Sequence, residues 1–177
     1  MILKILPASA RFSAVNYNTR KIDRNKGELM KVANFGPLLA FGHLRPQDYI
    51  NYLTALAALN TNVSLPQFHA VLSAKGRDYD KTTLTQIAED WLRGMGYGEQ
   101  PYLVVFHKDT DNNHVHIVSS RVDRNGEKIS SAFEWKRGQQ MLQRGAGLRV
   151  CYAVPLQYQG AVLYDPGKPR LSGYRSG

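Results

Sequence analysis

The chain carries a single cysteine, Cys151, among 177 residues, which excludes an internal disulfide framework and any Cys-x-x-Cys metal site. Long apolar runs are also missing: nothing approaches the roughly 18 consecutive apolar residues of a membrane span. The opening MILKILPASARFS is broken by Lys4 and Pro7 too early to read as a secretory leader. Acidic residues are scarce beside basic ones, 14 Asp and Glu against 23 Lys and Arg, for a formal charge of +9. That excess favours polyanionic partners, nucleic acid before an anionic membrane surface. Hydrophobic residues make up 43% of the chain, enough for a core and too many for a disordered tail. One domain is expected at this length. The composition predicts a cytoplasmic protein, without membrane insertion, that handles nucleic acid.

Local patterns alternate between strand and helix. Met1–Leu6 reads as a first or edge strand, and Ser9–Ile22 as a helix with Phe12, Val15 and Ile22 on one side and Tyr17 nearly opposite. Leu29–Phe35 fits neither period cleanly. Arg45–Asn60 reads as a helix, Gln67–Ser73 as an alternating strand, and Thr82–Met95 as a helix with Thr83 and Gln86 at capping-box spacing. YLVVFH (Tyr102–His107) and HVHIVSSRV (His114–Val122) are the plainest strands, and Phe133–Arg144 reads as a last helix. The expected fold is α+β, a central antiparallel sheet of about five strands with helices packed on its faces. Residues 1–150 are read as the domain and 151–177 as a C-terminal extension or tail.

The chemistry concentrates in the histidines. His114 and His116 are two apart on a strand and share a face; Val115 turns away. If the polar loop between the two plain strands closes a hairpin, His107 ends one strand as His114 begins its neighbour, and three imidazoles converge. Neutral imidazoles on one side of a divalent cation, with open positions on the other, suit an ion that must also accept substrate oxygens. A histidine acting as acid or base without metal is the alternative. Asp109, in the intervening loop, can hold an imidazole tautomer or serve as a weak base. His43 and His69 are read as imidazoles with no task.

The stretch Phe106-His-Lys-Asp-Thr-Asp-Asn-Asn-His-Val-His-Ile-Val118 closely resembles the third motif of conjugative relaxases, the mobilisation nucleases of the HUH endonuclease superfamily. His114-Val115-His116 matches the histidine–hydrophobe–histidine signature, and His107 with Asp109 matches the element upstream of it. The resemblance spans roughly residues 9 to 131. It implies a catalytic tyrosine at Tyr17, in RFSAVNYNTRK, and a DNA-contacting serine at Ser73. It also implies metal-dependent cleavage of single-stranded DNA at a transfer origin through a 5′-phosphotyrosine, with the strand rejoined by the reverse reaction. The implied cofactor is a divalent metal ion, Mg or Mn. The implied partners are single-stranded DNA, accessory relaxosome proteins and a secretion coupling protein, in a bacterial cytoplasm.

Arg20, Lys21, Arg24 and Lys26 follow the tyrosine, Lys75 and Arg77 follow the serine, and Arg121, Arg124 and Lys128 follow the hairpin. Their recurrence beside every motif predicts a DNA groove. Tyr79, Tyr97 and Tyr102 are candidates for base stacking; Trp135, on a helical stripe, is assigned to the core. Rival readings are an HUH replication initiator, an HUH transposase, or a single-stranded-DNA-binding module without catalysis. Transposases of this class carry their tyrosine downstream of the histidine signature, whereas Tyr17 lies upstream.

Overall fold

The computed structural model describes residues 1–149; the 151–177 extension lies outside them. The strands are β1 (Ile2–Ile5), β2 (Gly27–Ala33), β3 (Gln67–Ser73), β4 (Tyr102–His107) and β5 (His114–Ser120). The helices are α1 (Ser13–Asp23), α2 (Pro46–Ala57), α3 (Lys81–Met95) and α4 (Glu134–Arg149), with a 3-10 turn at Gly36–Ala40. The five strands form one sheet in the order β1-β3-β5-β4-β2, every neighbour antiparallel. The α+β class and the five-stranded antiparallel sheet expected from the sequence are what the chain forms.

Helices cover both faces. Below, α3 packs Leu84, Ala88, Trp91 and Leu92 against Phe68, Ala70, Leu72, Val104, Val115 and Ile117, and α4 adds Met141 and Leu142. Above, α1 and α2 pack Val15 and Leu53 with Phe12, Phe35 and Tyr49 over Leu103 and Val118. The three histidines of the motif lie on the upper face, in register with Leu103 and Val118. Coverage on both sides explains why β3 and β4 are buried at almost every position, although alternation in QFHAVLS suggests one wet face.

Where the reading of the sequence was ambiguous, the structure supplies the reason. The register between β2 and β4 slips between Leu29 and Lys31, a bulge at Met30. A single extra residue reverses the parity of a strand. Before the bulge Gly27 and Leu29 face the histidine side; after it Val32 does so, while Met30 and Ala33 join the lower core. No single period can describe that segment.

Helix boundaries shift for similar reasons. Helix α1 starts at Ser13, not Ser9, because the Ser9 carbonyl accepts from Gln67 N–H beside β3, 3.1 Å. Its Ala14 N–H donates to the Gln67 side chain at 2.9 Å, a cap supplied from 53 residues away. Helix α3 is capped by Asp80, which accepts from Thr83 N–H at 2.7 Å, so the Thr83/Gln86 box lies one turn inside the helix.

Two assignments near α4 are overturned. Trp135 is 59% exposed rather than in the core. Arg121, expected on a DNA surface, is 5% exposed and donates to the carboxylate of buried Glu134 at 2.6 Å and to the Gln67 carbonyl. The glutamate that opens α4 therefore locks that helix to the end of β5. Removing one member of a buried ion pair leaves an uncompensated charge. Glu134→Ala is expected to lower stability by roughly 3 kcal/mol, read as a reduced urea midpoint at unchanged slope. Trp135→Ala should stay within about 0.5 kcal/mol of the parent.

Candidate active site

The antiparallel register sets His107 directly opposite His114, and Val105 opposite His116, on adjacent central strands. One nitrogen from each of His107, His114 and His116 lies within 4.8 Å of the others, a spacing at which one metal ion can be held. The ring centroids are 4.2 Å apart for His107 and His116, 5.2 Å for His107 and His114, and 5.4 Å for His114 and His116. Burial holds His107 down to about 4 and His116 to about 2, with repulsion between neighbouring imidazoles adding to it. Both rings are therefore neutral at neutral pH, the form that offers a lone pair to a cation.

The donor set fits a metal on structural grounds. His107 Nε2 is buried without a hydrogen-bond partner, a cost that a bound cation would remove. His114 Nδ1 is 3.0 Å from the Asn112 carbonyl, which only accepts, so this nitrogen carries the proton and Nε2 is left free. His116 Nδ1 is occupied in a different way, 2.9 Å from Nε2 of His69. His69 is thus part of the site, although the sequence reading gave it no task. The missing signal is tertiary: His69 comes alongside only because β3 pairs with β5 across an intervening helix and strand. His43 is exposed and takes no part.

Tyr17 projects from α1 over this face. Its ring lies 5.8 Å from that of His116 and 6.1 Å from that of His107, and it is 49% exposed. With Leu6, Ser13, Ala14, Gln67, His69 and His116 it lines an open pocket of about 380 Å³. Lys21, one turn further along α1, sits 5.7 Å from the Tyr17 ring centre and forms an ion pair with Asp109. That contact, before any Coulombic attraction, holds the Asp109 carboxyl below its ordinary range. Asp109 is engaged by the lysine and not by an imidazole nitrogen, so the expected carboxylate–histidine contact is replaced by a carboxylate–lysine one.

Gly27 has a steric role that no motif announced. The chain reverses after α1 through Asn25, at φ +55°, and brings Gly27 opposite His107. A Cβ there would stand 3.0 Å from the Phe106 carbonyl oxygen and 3.3 Å from the His107 ring.

The remaining candidates divide by the end of the sheet they occupy. Ser73 pairs in register with His114 on β3. Lys75 and Arg77 are exposed in the loop that follows, which is tied to the β4–β5 loop by bonds such as Asn113 N–H to the Gly76 carbonyl. Arg20, Arg24 and Lys26 are exposed around the end of α1, and Lys108 N–H donates to the Lys26 carbonyl. These groups belong to segments at the triad's end of the sheet. Arg124 does not: it follows the far end of β5, roughly 20 Å along the strand at about 3.3 Å per residue, and donates to the Asn34 carbonyl. Among the stacking candidates Tyr97 and Tyr102 are buried and unavailable, and Tyr79 is half-buried.

Fold and site together define a sheet-borne histidine cluster that could hold a metal ion, with a tyrosine held over it by a neighbouring helix. The family described as Relaxase: MobA/VirD2-like, nuclease domain matches residues 14–145, and the chain belongs to that family. It is also 33% identical over 78 residues to Protein TraI of Escherichia coli, a match covering 43% of this chain and 10% of that protein. The chain thus aligns with about a tenth of the length of that relative. No solved structure matches it. Among the described residues no helix is long and apolar enough to cross a membrane.

His114 is half-exposed at a strand end, so its loss should disturb the core little. His114→Ala is expected to keep stability within about 0.5 kcal/mol while weakening Mn²⁺ binding by at least about 100-fold, the upper end of what a mere supporting contact is worth. Calorimetric titration of the metal-free protein checks the affinity, and its urea unfolding midpoint checks the stability.

Proposed function

We propose that this domain is a metal-dependent relaxase that nicks one strand of single-stranded DNA at a transfer origin, with Tyr17 as the nucleophile. The observation that carries the reading is the position of the Tyr17 side chain, half-exposed and within 6.1 Å of two rings of the histidine triad. A phosphodiester presented to the pocket meets this hydroxyl from one side and the histidine cluster from the other. Tyr17 Oη attacks phosphorus, the P–O3′ bond breaks, and the products are a 5′-phosphotyrosine and a free 3′-hydroxyl. The phenolic proton leaves Tyr17 as the new bond forms, and the departing 3′ oxygen takes one up. The P–O bond is exchanged rather than hydrolysed, so attack by a 3′-hydroxyl on the phosphotyrosine rejoins a strand.

His107, His114 and His116 would hold the cofactor. Bound there, a divalent ion would supply charge neutralisation to the phosphate. All-nitrogen donors suit Mn²⁺ better than Mg²⁺, whose sites are built from oxygen. Lys21, fixed by Asp109, places positive charge next to the tyrosine, where both the developing phenoxide and the phosphate are anionic. Ser73, Arg20, Arg24, Lys26, Lys75 and Arg77 lie around the same end of the sheet and form the proposed track for the DNA backbone. Arg121 is withdrawn from that set because it is buried, and Arg124 because of its distance from the triad.

The reading takes residues 1–150 as the nuclease domain and places its work in a bacterial cytoplasm. Accessory relaxosome proteins and a secretion coupling protein are the partners of such a reaction.

Tyr17→Phe removes one hydroxyl from an exposed ring. The variant should bind Mn²⁺ and a labelled origin oligonucleotide as the parent does and form no covalent adduct on a denaturing gel. An adduct that persists in Tyr17→Phe would move the nucleophile elsewhere, with Tyr79 next in line. Retained DNA binding with no adduct in the parent protein would favour the non-catalytic binding module. Affinity for the oligonucleotide should fall with salt at a log–log slope of about −0.7 per phosphate contacted. Reversing Lys75 and Arg77 to Glu should flatten that slope, whereas the same change at Arg124 should leave it unaltered.

A further inference from the structure

We propose that His69 is a positioning residue that selects the tautomer of His116, and so decides which of its nitrogens faces the metal site. The inference rests on the metal-centre reading above and concerns a residue outside the triad. His69 Nε2 and His116 Nδ1 are 2.9 Å apart, and both rings are buried, each 7% exposed. Two ring nitrogens share one hydrogen bond only if one carries a proton and the other a lone pair. His116 can offer Nε2 to a cation as a neutral ring only with its proton on Nδ1. The bond then runs from His116 Nδ1–H to His69 Nε2, and His69 carries its own proton on Nδ1.

The strands explain why this contact is available. Val71 is directly opposite His116 and His69 opposite Val118, so His69 reaches His116 on the diagonal of an antiparallel pair, within range of a long side chain. The site then has a consistent logic. His114 has its Nδ1 proton fixed by the Asn112 carbonyl, and His116 has its own fixed by His69. A backbone carbonyl serves at the strand end, where the loop turns back. Deep in the sheet every carbonyl is committed to strand pairing, so a side chain must serve instead.

The contact also links the metal site to the floor of the Tyr17 pocket, which His69 and His116 line together. Loss of the His69 acceptor would release His116 to place its proton on either nitrogen. In the wrong tautomer Nε2 would carry a proton and could not act as a ligand. A metal-ligating histidine that loses its outer partner typically loses 10–100-fold in affinity.

The test uses long-range proton–nitrogen spectra of the metal-free protein with labelled histidine, together with calorimetry using Mn²⁺. In the parent, His116 should show its proton on Nδ1 and His69 an unprotonated Nε2. His69→Phe keeps a ring of similar size and removes the acceptor. It should populate the other His116 tautomer and weaken Mn²⁺ binding by 10–100-fold. His69→Gln, whose side-chain oxygen can accept from His116 Nδ1–H, should restore most of both, which a merely structural role for His69 would not. A His116 proton on Nε2 in the metal-free parent overturns the proposal, and that measurement needs no variant to fold. A folded His69→Phe that binds Mn²⁺ as tightly as the parent, while His114→Ala does not, also overturns it and leaves the metal centre standing. Equal binding by the parent, His69→Phe and His114→Ala would overturn the metal centre itself.

Discussion

The pairing of Tyr102–His107 with His114–Ser120 determines where the three histidines of the motif stand. In an antiparallel ladder side chains appear in opposed pairs on alternating faces. Placing His107 against His114 therefore puts His116 on the same face, one step inward. Slipping that register by one residue would send His114 and His116 into the lower core, turn Val115 and Ile117 out to the upper face, and destroy core and site together. The apolar residues of β5 thus secure the histidines: Val115 and Ile117 are fully buried below, and Val118 above. The stability of the sheet and the geometry of the histidine cluster are one constraint.

Burial then sets the chemistry of the imidazoles. Four histidine rings meet on this face, and a protonated ring among them would repel its neighbours in a poorly solvated setting. His69, like His107, is held down to about 4 by burial. Rings held neutral by burial, as His69, His107 and His116 are, suit the binding of a cation and not the donation of protons, which weighs against any of these three working as a metal-free acid. Lys21 and Asp109, paired with each other, lie at the wetter edge of this face.

Much of this was legible in the sequence because it is local. A signature of alternating histidines on a strongly apolar strand, a short polar loop and a preceding strand ending in histidine are enough to place three rings together. The helical wheel of Ser13–Asp23 puts Tyr17 opposite Val15, and the structure has Val15 buried and Tyr17 half-exposed. What was illegible depended on contacts distant in the chain. His69 and Arg121 have no local mark, since each is defined by a partner reached only after β3 docks against β5 or α4 closes over the end of the sheet. Trp135 misled because an apolar residue on a helix counts toward a stripe whichever way the helix is rotated, and Glu134, tied to Arg121, sets that rotation. The Met30 bulge hid β2 because a parity change erases the very period by which a strand is recognised.

The position of the tyrosine follows from the same architecture. Helix α1 is anchored at its start by Phe12 and by the Gln67 side chain, both in contact with the upper core or β3. At its far end Lys21 reaches the β4–β5 loop through Asp109, and Asn25 turns the chain straight into β2. Gly27 permits this close return because any side chain there would press on His107 and the Phe106 carbonyl. The helix is therefore fastened to the strands on both sides of Tyr17, by β3 before it and by the β4–β5 loop and β2 after it. A side chain on a free loop would have to be ordered each time a ligand binds, whereas one between two such anchors is already held in place. The ring is left half-exposed at the end of the sheet where Arg20, Arg24, Lys26, Lys75 and Arg77 are exposed as well.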